Sequence, residues 1–200
     1  MDEITKQLID LNFKYDDFLE KNNSKRIQYV KHDCEFGEIV KIDAFVHKWS
    51  NNEKYFIYYA VDTGTVMLLA TTIEKEETNV GYTKLLKNLF KTHGYLGLIK
   101  TDKRTTFWSH NSKTNMTQCL NNLDIEVESK NEPASKVNVE RSLRSAQDFY
   151  PYYFYINNMK SCEDFEKNVE KIIETYKTQF SKTSTHKEKA FTKVSEKKNW

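Results

Sequence analysis

The alternation of apolar and polar positions divides the chain into an opening helix, three strands, and then a run of helices and short strands. Residues 3–20 place Ile4, Leu8, Leu11, Tyr15, Phe18 and Leu19 at helical spacing and predict an amphipathic helix. Residues 21–36 are polar and basic and read as a linker. The period then drops to two. Residues 38–47 put Val40, Ile42, Ala44 and Val46 on one face of a strand, with Asp43 and Phe45 on the other. Asn51-Asn52 supplies a turn, and residues 54–62 are apolar and aromatic on both faces, as in a central strand covered twice. Thr63-Gly64 turns the chain tightly into a third strand over 65–73, completing an antiparallel meander.

Helical spacing returns over 77–92, where Tyr82, Leu85, Leu86, Leu89 and Phe90 form an apolar stripe that Gly94 ends. A short strand at 97–101 follows; a strand reached through a helix suggests a parallel addition to the sheet. Residues 112–122 read as a helix and 124–128 as a last short strand. The loop 129–135 holds Pro133 and closes on Ser135, a good N-cap for a helix over 136–149. Its stripe is Val139, Leu143, Ala146 and Tyr150, and Pro151 is expected to stop it. A final long helix starts at Ser161, with Asp164 in capping-box spacing and Phe165, Val169, Ile172, Ile173, Tyr176 and Phe180 as its stripe. This order describes an α/β fold, a mixed five-stranded sheet flanked by helices. Open sheets of this kind place sites at the carboxyl ends of their strands.

Composition narrows the class. An apolar fraction of 38% with 14% aromatics can fill a core, so a 200-residue chain of this kind is globular. Charged residues make up 30%, but the net charge is only +2, which by itself announces no nucleic acid. The charge is uneven: residues 181–200 carry six lysines against two glutamates and read as a flexible tail. Cys34, Cys119 and Cys162 are far apart and fit no zinc spacing, as expected of reduced thiols in a cytoplasmic protein. No apolar run reaches the ~18 residues of a membrane span.

Three carboxylates carry the candidate chemistry. Asp43 interrupts the apolar strand IVKIDAFV, where an unpaired carboxylate would be costly and needs a cation or donors. Asp102 ends the strand GLIKTD, and Glu140 sits in the first turns of a helix, beside its apolar stripe. Hard divalent cations prefer such oxygen ligands, and two of them in one site can cut and join phosphodiesters.

The element order, and an Asp, Asp, Glu set with 37 residues between the last two, resemble the catalytic core of the DDE integrases and transposases. The segments IVKIDAFVHKW, YAVDTGTVMLLA, ETNVGYTKLLKNLFKTHGYLGLIKTD and KVNVERSLRSAQDF carry the resemblance. It implies an RNase H-like integrase core over 36–180, preceded by an N-terminal helix and basic linker over 1–35 and followed by the tail at 181–200. It also implies metal-dependent DNA cleavage and strand transfer, with Asp43, Asp102 and Glu140 as catalytic ligands of two Mg²⁺ or Mn²⁺ ions. The implied partners are DNA, at element ends and target, and further copies of the chain. With only about 35 residues before the core, a shortened member is expected. Two other readings stay open at this point: an RNase H-like nuclease that only hydrolyses, and a non-catalytic DNA-binding remnant.

Given that resemblance, Lys103, Arg104, Lys136, Arg141 and Arg144 could ring the carboxylates and hold DNA phosphates. The bland alternative is ion pairing along a helix surface. His47 is expected to be structural and Asp62 to cap a turn. Trp108 is expected to pack under its loop rather than stack on a base, while the aromatic run FYPYYFY at 149–155 fits base stacking and a loop packed on the core equally well.

Overall fold

A computed structural model of the chain describes residues 34–49, 53–101, 106–108, 114–129, 136–182 and 190–192; the side chains of 129 and 136–145 lie outside this description. The expected helix at 3–20 and the Ser135 cap also fall outside it. All described residues belong to one compact unit, His32–Trp200.

Five strands form one mixed sheet: β1 (Ile39–Lys48), β2 (Lys54–Asp62), β3 (Leu68–Glu74), β4 (Leu98–Thr101) and β5 (Glu126–Ser129). Their spatial order is β3-β2-β1-β4-β5. The first three are antiparallel neighbours, while β4 pairs parallel to β1 and β5 parallel to β4. Parallel neighbours require crossover connections. Helices α1 (Asn79–His93) and α2 (Asn115–Asn122) supply them. Three further helices follow among the described residues: α3 (Lys136–Ile156), α4 (Cys162–Lys167) and α5 (Val169–Phe180).

The two-residue period of β1 sorts the core into two layers. Val40, Ile42 and Ala44 join Tyr58, Ala60 and the Tyr82, Leu85 and Leu89 stripe of α1 on one side. Phe45, Ile57, Tyr59 and Val61 face the other side, against Phe149, Tyr150 and Phe154 of α3 and Ile172 and Tyr176 of α5. Strand β2 is therefore covered on both faces, as its sequence predicts.

Where boundaries differ, local chemistry explains the difference. The third strand starts at Leu68 rather than 65 because the turn is longer than Thr63-Gly64 alone. Asp62 takes hydrogen bonds from the amide and hydroxyl of Thr65, both at 2.7 Å, and Val66 adopts φ 59°. This bears out Asp62 as a turn cap. Helix α2 starts at Asn115 rather than 112; its cap is Thr114, whose hydroxyl accepts from the Thr117 amide at 3.3 Å. Gly94, at φ 96°, ends α1 as expected, its amide donating to the Phe90 carbonyl.

Two helix expectations are corrected. Pro151 does not stop α3, which runs through it to Ile156. The ring sits on the exposed side, while Phe149, Tyr150, Tyr153 and Phe154 are buried. Burial of four aromatics at roughly 1.5–3 kcal/mol each outweighs the ~3 kcal/mol cost of an interior proline. The aromatic run is therefore core helix rather than a packed loop. The final helix begins with the expected Ser161–Asp164 capping box but breaks at Asn168, where φ −112° and ψ 10° leave helical space.

Part of the C-terminal segment also returns to the core. Thr192 exchanges two backbone hydrogen bonds with Tyr95, both at 2.8 Å, and the Ala190 amide donates to the Phe36 carbonyl. Between them the Phe191 ring packs edge-on to Phe36 and stacks on His93. It crosses Gly37 so closely that a Cβ there would lie 2.3 Å from the ring. Among the described residues no helix is long and apolar enough to cross a membrane.

Candidate catalytic carboxylate site

Asp43 lies in the middle of β1, opposite Tyr59 of β2, on the face covered by α3. It is 7% exposed, with apolar Ile42 and Ala44 on either side. A carboxylate so placed needs donors, and it has them. The Ala44 amide donates to Oδ1 at 2.8 Å, and the Tyr59 hydroxyl donates to Oδ2 at 3.3 Å. Burial, then the Asp43 charge, pushes the Tyr59 phenol far above its ordinary pKa, with the Gln147 side chain of α3 opposing. Tyr59 is thus a neutral donor across the working pH range.

Sequence reasoning missed Tyr59 and Gln147, and it missed Lys41. That lysine is 2% exposed and, two residues before Asp43, shares its face of β1. A buried cation beside a buried carboxylate was legible as the lysine of IVKID. Tyr59 and Gln147 had no comparable signal, because their contact spans 88 positions and depends on how α3 lands on the sheet.

The other candidate ligands are located only through their elements. Asp102 follows Thr101, the last residue of β4, and itself lies outside the described residues, as do Lys103 and Arg104. The β1–β4 register pairs Lys41 with Lys100. Asp43 and Asp102 are thus each two residues beyond a matched pair in parallel neighbours. Glu140 is on α3, seven residues before Gln147, about two helical turns along the same face. Its side chain, and those of Lys136, Arg141 and Arg144 on the same helix, lie outside the description. Among the described residues no three His, Cys, Asp or Glu side chains gather as a metal cluster.

Neighbouring candidates resolve into packing. His47 is wedged between Trp49 and Phe154, with ring centroids 4.6 and 4.8 Å away. Burial lowers its pKa, as expected of a structural histidine. Trp108 packs against the α1-side core.

No family model matches the chain. A curated relative, the transposase for insertion sequence IS1202 of Streptococcus pneumoniae, is 29% identical over 153 residues, 72% of this chain. The match spans about a third of that relative's length, 33%. Among solved structures, a chain of the simian T-cell lymphotropic virus intasome in complex with PP2A regulatory subunit B56 gamma superposes with TM-score 0.58 at 19% identity. That match covers 81% of this chain and 55% of the other. The HTLV-2 integrase catalytic core domain in complex with magnesium gives TM-score 0.56 at 16% identity, over 74% of this chain and 90% of that domain. The chain is therefore similar in sequence to an insertion-sequence transposase, and its mixed five-stranded sheet with flanking helices is the RNase H-like fold of a retroviral integrase catalytic core.

Proposed function

We propose that the chain is the catalytic core of a DDE transposase, which cleaves DNA strands at element ends and transfers them to target DNA. The observation that carries this reading is the buried Asp43 carboxylate, held by two donors on the α3 face of β1, in a chain similar to a transposase. Asp43, Asp102 and Glu140 are its proposed ligands for two Mg²⁺ or Mn²⁺ ions. The donor set fits such ions: all three are hard oxygen ligands. The burial of Asp43 makes a cation a favourable companion to its charge. When bound, divalent metal supplies a nucleophilic oxygen at neutral pH and offsets charge developing on the scissile phosphate.

The chain's own residues supply position. The β1–β2 ladder and the Ala44 amide hold Asp43 in one orientation. The parallel β1–β4 register supports bringing Asp102 alongside. Helix α3, packed on the Asp43 face through Tyr150 and Phe154, carries Glu140. Lys103, Arg104, Lys136, Arg141 and Arg144 are proposed to grip phosphates, which orients DNA without reading its sequence. Joining two element ends implies more than one copy of the chain, acting in the cytoplasm. The test is strand transfer on preformed branched DNA, which needs little end recognition. With Mg²⁺, the chain is expected to join strands and Asp43→Asn to fall below detection. Full activity in Asp43→Asn overturns the reading.

A further inference from the structure

Asp43 is bonded to a buried phenol that packs against α3. Tyr59 is fully buried and directly opposite Asp43 in the ladder. Its hydroxyl has one proton to give, and gives it to Oδ2 of Asp43 at 3.3 Å. The Gln147 side chain of α3 acts on the same phenol in the sense of a donor, against the effect of burial. The phenol ring cannot swing aside. Phe45 and Tyr150 flank it at 5.9 and 6.3 Å. Tyr150 is itself anchored by donating to Thr71, the β3 residue paired with Tyr59.

We propose that Tyr59 and Gln147 are positioning residues that orient the Asp43 carboxylate toward a bound divalent cation and couple that orientation to helix α3. The proposal rests on Asp43 being a metal ligand. With Oδ1 fixed by the Ala44 amide and Oδ2 by Tyr59, rotation of the carboxylate is blocked from two sides. A carboxylate oxygen has two lone-pair sites, so a bond from Tyr59 orients Oδ2 without filling it. The Tyr59 ring packs against Tyr150 of α3, so the same phenol ties β1 to the helix that carries the third carboxylate. Partners of this kind typically change metal affinity by about 10–100-fold. The 3.3 Å bond is long for O–H···O, which puts the expected effect near the lower figure.

The experiment is a Mn²⁺ titration of the full chain, reading free metal by electron paramagnetic resonance. It compares the native chain with Tyr59→Phe, Gln147→Leu and Asp43→Asn. Tyr59→Phe is expected to raise the Mn²⁺ Kd about tenfold. Gln147→Leu is expected to move it the same way by a smaller factor, each with a melting temperature near the native one. The half-activating Mg²⁺ concentration for strand transfer should rise in step, with the rate at saturating metal little changed. A Tyr59→Phe Kd within about twofold of native, while Asp43→Asn abolishes binding, overturns the positioning role and leaves the metal site standing. Native binding by Asp43→Asn instead removes the metal-ligand reading itself. Should Tyr59→Phe fail to fold, Gln147→Leu decides: an unchanged Kd there also overturns the proposal.

Discussion

Replacing Asp62 by alanine should cost more stability than any other single truncation at the β2–β3 turn. The side chain is completely buried and accepts three hydrogen bonds. Oδ1 takes the Gly37 amide at 2.9 Å; Oδ2 takes the Thr65 amide and hydroxyl, both at 2.7 Å. The Thr65 hydroxyl can rotate to another acceptor, but the two backbone N–H groups cannot. Each buried orphan donor costs about 1–3 kcal/mol. Two of them give roughly 4 kcal/mol, since each loses its acceptor with the one carboxylate. For a chain of this size, 1 kcal/mol shifts the melting temperature by about 2–4 °C. Asp62→Ala should therefore melt about 8–16 °C lower. Thermal melting by circular dichroism measures this, with urea unfolding at an unchanged slope as the check that the denatured state is the same. A drop of less than about 3 °C would refute the reasoning, because the Gly37 and Thr65 amides would then have found other partners at little cost.

Three further outcomes follow from the core. Gly81→Ala gains at most about 1 kcal/mol of helix propensity. Its Cβ, however, would stand 2.2 Å from Cζ of the buried Tyr58, which is pinned by bonds to Glu76 and Thr78. Overpacking at about 1–3 kcal/mol wins, so Gly81→Ala should melt lower; a higher melting temperature would show that Tyr58 yields freely. His47 is neutral in its aromatic slot because burial lowers its pKa. Its contribution is present above the unfolded value near 6.5 and is lost as pH falls below it toward the folded value. Relative to the native chain, His47→Phe should therefore gain stability between pH 7.5 and 5.5; a pH-independent difference contradicts this. Phe191→Ala empties the slot over Phe36, Gly37 and His93 and should lower the melting temperature by several degrees. An unchanged melt would mean that the returning segment adds nothing to the core.

Much of the fold was legible because periodicity reports burial. The boundaries of β2 matched, and β1, β4 and α1 matched within two residues, since each has one or two faces that must be apolar. The misreadings lie where a local signal was outvoted. Pro151 breaks a helix in isolation, but the buried rings on either side hold α3 through it. At Asn168 the apolar stripe continues while the backbone does not, so the pattern hid a break. Asp43 was legible as a charge in an apolar strand. Its partners were not: the Tyr59–Gln147 contact is a product of tertiary packing, and β2 reads only as an aromatic strand.

The central claim is that Asp43, Asp102 and Glu140 share one divalent-metal site. Fe²⁺-directed hydroxyl-radical cleavage of the polypeptide tests it most directly, because iron in that site cuts the chain beside its own ligands. The expected result is backbone cleavage near residues 43, 102 and 140 together, suppressed by excess Mg²⁺ and absent in Asp43→Asn. Cleavage that misses one of these segments, or that Mg²⁺ leaves untouched, would contradict the account.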